Sequence, residues 1–134
     1  VGAVMSKMSK PIIYIAGAIN ADSGCQAKFE RAERDLIDAD FVALNPATLP
    51  LEMSDEKRMR IHLAMLDCAD AVLLLPGWHN SREATIESAI ANRLKKPTVI
   101  YPADEPPASR LLSLGVALDS ALRIMTGRIF KKED

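Results

Sequence analysis

Residues 70–90 read DAVLLLPGWHNSREATIESAI, and this stretch decides the fold. Residues 71–75 are apolar without alternation, as in a parallel strand covered on both faces. Pro76 and Gly77 end the run, and Trp78-His79-Asn80 forms a loop too polar at its end for a core. Asn80 or Ser81 supplies an N-cap for the next helix, with acidic Glu83 in its first turn. Ile86, Ala89, Ile90 and Leu94 recur at three- and four-residue spacing and are its expected core face. Glu87 falls one residue past a core position, about a turn and a half into the helix. Open parallel sheets bind ligands beyond the carboxyl ends of their strands, and that is the end at which Glu87 stands.

Outward from this stretch, strands and helices alternate. PIIYIA (11–16) is a short strand ending in Gly17, followed by the polar loop AINADSG (18–24). A helix is expected from about Ser23 to Ala39, with Phe29, Ala32 and Leu36 on one face, closed by Asp40. FVAL (41–44) is a second strand, and the proline-rich connection 45–54 opposes regular structure. Ser54 caps a helix over 55–69 with Met59, Leu63 and Leu66 inward. Residues 97–101 are a fourth strand, and a last helix over 108–125 faces Leu111, Leu114, Leu118 and Met125 inward. The tail holds a short fifth strand at Ile129 and Phe130, or no structure. The expectation is a single-domain α/β, doubly wound, three-layer sandwich of flavodoxin or Rossmann-like type. Its parallel sheet has four to five strands and right-handed crossovers. The domain covers 11–126, between tails at 1–10 and 127–134.

Bulk composition narrows the function. The chain has 134 residues, 49% hydrophobic and 26% charged, which suits one globular domain with one core. A formal charge of −1 with no basic cluster argues against a nucleic-acid polymer as partner. No run approaches the roughly 18 apolar residues that a bilayer requires, so no membrane partner is expected. VGAVMSKMSK (1–10) lacks the apolar centre and cleavage pattern of a signal peptide. Cys25 and Cys68 are too few for a disulfide framework or zinc site, and Cys68 reads as core. A reducing, cytoplasmic setting fits. Two histidines without HExxH spacing give no metal site, and no motif implies a cofactor.

Several residues remain as site candidates. Glu87, near a helix N-terminus, suits a nucleophile or base better than an acid; the alternative is a solvated helix carboxylate. Tyr14 is packing, or a buried hydroxyl that needs a partner such as a carboxylate beyond the strand end. The loop after Gly17 offers N–H groups before a helix, without GxGxxG or Walker spacing. His62 is a structural histidine or a catalyst. Asp70 reads as a turn or cap at the wrong end of the sheet. Trp78 reads equally as a stacking platform for a base or as a cover over the core.

IYIAG (13–17), LNPA (44–47), CADAVLLLPGW (68–78) and the S-x-x-A-x-x-E run (81–87) resemble the nucleoside 2-deoxyribosyltransferase superfamily. Within it they are most similar to a short branch of phage and prophage genomes, over about residues 11–101. The resemblance implies a Glu that attacks the anomeric carbon of a nucleoside, with transfer of the glycosyl group to another base or to water. Glu87 matches this nucleophile and Tyr14 the tyrosine that orients it. Gly17, Ala18, Ile19 and Asn20 resemble the loop lining base and sugar. Gly77 and Trp78 flank the base site, and Ser81 resembles a serine that holds a 5′-phosphate in the nucleotide N-hydrolases, with Arg82 beside it to offset the charge of Glu83. Ser113, in SRLLS (109–113), resembles a serine lent to a neighbouring subunit, implying a homodimer or higher homo-oligomer. The implied small-molecule partner is a nucleoside or nucleotide.

This sequence departs from that pattern at three places. Eight residues before Asp70, where the superfamily has an acid that protonates the leaving base, stands His62. A histidine can donate a proton near neutral pH, or mark altered activity; Asp67 is the other candidate donor. Glu83 replaces a small residue, and Asn20 stands where the nucleotide hydrolases carry an arginine. A non-catalytic nucleotide-binding module and a phage accessory interaction protein are the alternative functions.

Overall fold

The computed structural model describes residues 9–20 and 24–133. Residues 1–8 of the expected tail and the helix start expected at Ser23 lie outside them. Four parallel strands, β1 (Ile12–Ala16), β2 (Val42–Leu44), β3 (Ala71–Leu74) and β4 (Thr98–Ile100), form one sheet in the order β2-β1-β3-β4. Helices α1 (Cys25–Asp38), α2 (Asp55–Cys68), α3 (Arg82–Arg93) and α4 (Pro107–Glu133) cover it. This is the expected three-layer parallel α/β arrangement, with four strands.

Period-two alternation in β1 and β3 divides the core in two. Ile13, Ile15, Ala71 and Leu73 meet Phe29, Ala32 and Leu36 of α1 and Leu114 and Leu118 of α4. Tyr14, Ala16, Val72 and Leu74 meet Leu66 of α2 and Ala91 of α3 on the opposite face. The chain starts in the middle of the sheet, steps to β2, then crosses back to β3. The strand order therefore reverses between β1 and β3, and the crevice beyond their carboxyl ends is the topological switch point.

Local chemistry fixes the ends of these elements. Ser54 Oγ accepts the Lys57 N–H and opens α2, and Ser81 Oγ accepts the Ala84 N–H and opens α3. Asp70 Oδ2 accepts the Ile12 N–H at 2.8 Å, tying the start of β1 to that of β3, which is a structural role. Asp40 closes α1 at φ 74°. Asn45 accepts the Ala47 N–H and organises Pro46–Thr48 into a 3₁₀ turn, so the proline-rich connection is partly regular.

Three expectations need correction. Helix α3 buries Ala84, Glu87, Ser88 and Ala91, while Ile86 and Leu94 are 41% and 48% exposed and Ala89 faces out. Small side chains let this helix sit against the sheet, so spacing of the large apolar residues points to the wrong face by about one position. Cys68, expected in the core, is exposed at the last position of α2; Cys25 is the buried cysteine. The segment expected to be a strand at Ile129 and Phe130, or unstructured, continues α4. It contains no proline, and a single glycine costs a helix only about 1 kcal/mol. The inward side chain expected at Met125 lies outside the described ones.

Candidate active site

Glu87 is 2% exposed, on the inner face of α3. A buried carboxylate is costly unless it is hydrogen-bonded, and two neighbours supply partners. The Tyr14 hydroxyl, from the middle of β1, donates to Glu87 Oε2 at 2.9 Å. His62 Nδ1, from α2, lies 3.3 Å from the same oxygen. The sheet and both helices of one face thus converge on a single carboxylate oxygen, which leaves Oε1 for another partner. Burial, then the charge of Glu87 and its hydrogen bond, push the Tyr14 phenol far above the ordinary tyrosine range. It therefore stays a proton-bearing donor around neutral pH.

An open cavity of about 110 Å³ adjoins this cluster, lined by Gly17, Ile19, Asp55, Arg58, Met59, His62, Glu83 and Glu87. It lies at the switch point, between the loop after β1 and the starts of α2 and α3. Gly17 stands where space is tight. A Cβ there would lie 3.1 Å from two Leu75 carbons and 3.2 Å from Phe29 Cζ, so a side chain would need Leu75 and Phe29 to give by a few tenths of an ångström.

A larger cavity of about 240 Å³, lined by Lys28, Arg31, Leu75, Pro76, Tyr101, Ala103 and Asp104, opens at the same end of the sheet. Its tyrosine donates instead to Asp35 at 2.6 Å, and Arg110 Nε binds the same carboxylate at 2.5 Å. Burial drives the Asp35 carboxyl up, but the hydrogen bonds from Arg110 and Tyr101 and the charges of Arg110 and Arg31 outweigh it. The net effect holds Asp35 below its ordinary value. This carboxylate is saturated and ties α1 to α4.

The cavity brings together Gly17, Ile19, His62 and Glu87 of the residues singled out from sequence, with Tyr14 directly behind. Several others stand elsewhere. Asp67 is exposed near the end of α2; Lys96 Nζ binds its backbone carbonyl at 3.0 Å, just ahead of β4. It is thus at the amino ends of the strands and out of reach of Glu87. Trp78 packs on the apolar cluster of the α2–α3 face and stacks edge-on to His79, so it covers the core. Gly77 takes φ 82° to turn the chain into that segment. Ser81 caps α3, and Arg82 is exposed. Ala18 is half-buried and Asn20 exposed; the Asn20 carbonyl accepts from Cys25 Sγ at 3.1 Å. Ser113 donates to Glu105 of its own chain at 2.7 Å.

Sequence reasoning missed Asp55 and Arg58, took Met59 as inward-facing core only, and met Glu83 only as a departure from a pattern. The signal for them is the period of α2. Taking His62 as inward-facing puts Met59, Arg58 and Asp55 three, four and seven residues earlier on the same face. Among the described residues no cluster of His, Cys, Asp and Glu is arranged to hold a metal. No helix there is long and apolar enough to cross a membrane.

Comparison with known sequences places residues 11–101 in the domain of unknown function DUF4406. The chain belongs to the DUF4406 family. No curated protein matches this DUF4406 chain in sequence. Among solved structures it is similar to a 2-deoxyribosyltransferase from the psychrotolerant bacterium Bacillus psychrosaccharolyticus, with a TM-score of 0.54 and 19% identity. The match covers 66% of this chain and 70% of that one. At that identity the likeness is one of fold, and it agrees with the all-parallel sheet and its helical layers.

Proposed function

We propose that this protein cleaves or exchanges the N-glycosidic bond of a nucleoside or nucleotide, with Glu87 as nucleophile. The observation that carries this reading is a buried carboxylate at the switch point. Its Oε2 is held by Tyr14 and His62, and the residue lines a cavity. The likeness in fold to a 2-deoxyribosyltransferase supports the same chemistry.

In this reading Glu87 Oε1 attacks the anomeric carbon. The C–N bond breaks with its electron pair moving to the base nitrogen, and a glycosyl ester forms on the carboxylate. Tyr14 keeps the carboxylate aligned. His62 delivers a proton from Nε2 to the departing base, the role open once Asp67 is out of reach. Water or a second base then attacks the same carbon from the opposite side and releases Glu87. The setting is cytoplasmic and the chain type that of the phage and prophage branch. The active form is a homodimer, supported by exposed Ile100 on edge strand β4 and exposed Leu112 and Val116 on α4. A second reading, a non-catalytic nucleoside-binding module, is favoured by the histidine standing where the fold's enzymes carry an acid.

The test is base release from a panel of nucleosides and 5′-monophosphates, with and without an acceptor base, by wild type and Glu87→Ala. Release that depends on Glu87 supports the enzyme, and the acceptor effect sorts transfer from hydrolysis. Panel members that raise the melting temperature without any release would replace it with the binding module.

A further inference from the structure

We infer that Arg58, held in place by Asp55, binds an uncharged acceptor oxygen of the substrate, either a carbonyl of the base or a hydroxyl of the sugar. The inference rests on reading the Glu87 cavity as a nucleoside site and narrows what that site accepts. Among the described residues, two buried side-chain nitrogens have no hydrogen-bond partner, Arg58 Nε and His62 Nε2. They lie one helical turn apart on α2, and both residues line the cavity. Coincidence is a poor account of this, because buried polar atoms are nearly always satisfied. Guanidinium Nε always bears its proton and can only donate, so the missing partner is an acceptor. His62 is 5% exposed and the Arg58 side chain 18%, so neither atom is simply solvated.

Charge selects the kind of acceptor. Arg58 Nη2 is paired with Asp55, one turn before it on α2. That pair orients the guanidinium and matches its charge. Glu83 and Glu87 line the same cavity, so with Asp55 its carboxylates outnumber Arg58 and His62 together. A phosphate would enter against that field, whereas a carbonyl or hydroxyl oxygen would not. The groups that resemblance implied for a phosphate do not offset it. Ser81 accepts from the Ala84 N–H as a helix cap, and Ser81 and Arg82 are not among the residues lining the cavity. The preferred substrate is thus an unphosphorylated nucleoside, and Arg58 is its specificity-determining contact.

Arg58→Gln and Asp55→Asn test this on the full-length protein, with base release for KM and kcat and melting-temperature shifts for binding. Arg58→Gln is expected to raise KM for the best nucleoside at least about 10-fold, the worth of one charge-assisted hydrogen bond, with kcat changed much less. Asp55→Asn removes one carboxylate and frees the Arg58 charge, so it is expected to shift preference toward the 5′-monophosphate by a similar factor. Nucleosides lacking a base carbonyl, and those lacking the 3′- or 5′-hydroxyl, separate the two sources of the oxygen. The analogue that loses the contact should be insensitive to Arg58→Gln. If Arg58→Gln is poorly folded, Arg58→Lys, which lacks the Nε donor, is read instead. Glu87-dependent release with unchanged KM in a folded Arg58 variant, or a wild-type preference for monophosphates, overturns the inference and leaves the proposed function standing. Nucleoside binding that requires Arg58 without any base release has the opposite meaning. Neither release nor any nucleoside-induced shift overturns both.

Discussion

The two faces of the sheet each bury a carboxylate beside a tyrosine, and they use it in opposite ways. On the α1–α4 face, Asp35 is closed off by Tyr101 and by the Arg110 guanidinium, inside a cluster of large apolar side chains. On the α2–α3 face, Glu87 has Tyr14 and His62 on one oxygen, no arginine or lysine bound to it, and a cavity beside it. The apolar cluster there is smaller, built from Ala16, Ala69 and Ala91 with a few larger residues. The first arrangement stabilises, and the second, which the proposed function reads as a nucleophile, leaves a buried carboxylate with fewer partners. The difference teaches that burial alone does not mark a site; incomplete satisfaction next to space does.

The sharpest way to break this comparison is to neutralise each carboxylate. Glu87→Gln and Glu87→Ala should lower base release at least about 1000-fold. Glu87→Gln, which keeps an acceptor for Tyr14, should leave the melting temperature unchanged or raised because a buried charge is removed. A large loss of stability in both would make Glu87 structural. Tyr14→Phe should reduce kcat by roughly 10- to 100-fold, as removal of one aligned donor does elsewhere, with a smaller effect on KM. A pure KM effect would assign Tyr14 to binding.

Asp35→Asn should do the reverse, costing about 2 kcal/mol in urea unfolding at neutral pH and sparing base release. Its pH dependence follows from the lowered carboxyl. A depressed folded value gives stability that is present above the unfolded value of about 3.9 and is lost as pH falls through the lower, folded one. The gap between wild type and Asp35→Asn should therefore close in acid. Tyr101 opposes it at the other end of the scale. Burial, then Asp35, push its phenol up to about 12, so its contribution is complete below about 10 and fades as pH rises toward 12. Gly17→Ala should have the smallest effect, about 1–2 kcal/mol from overpacking against Leu75 and Phe29, with KM raised because the loop beside the cavity moves.

Much of this was legible in the chain. Uninterrupted apolar strands, capped helices between them and glycine at strand ends specify a parallel α/β sheet, because each signal comes from a local backbone requirement. Glu87 and Tyr14 were legible as partners because a strand tyrosine and a carboxylate beyond its end have few other ways to be satisfied. The orientation of α3 was not, because Ile86 and Leu94 outweigh alanine in any periodicity while alanine permits the closer packing. Arg58 and Asp55 stayed hidden for a related reason. Charged residues in a first helical turn ordinarily face water, and only the inward turn of His62 reveals that this face of α2 is lined with them. Asp35 was likewise unread, since its partner Arg110 lies 75 residues away.

The most direct test of the central claim is mass spectrometry of the intact protein, quenched in acid within seconds of mixing with the best nucleoside and then digested. A covalent sugar adduct on the peptide carrying Glu87, absent in Glu87→Gln, is the predicted result. Base release without any adduct, or an adduct on another residue that survives in Glu87→Gln, would contradict it.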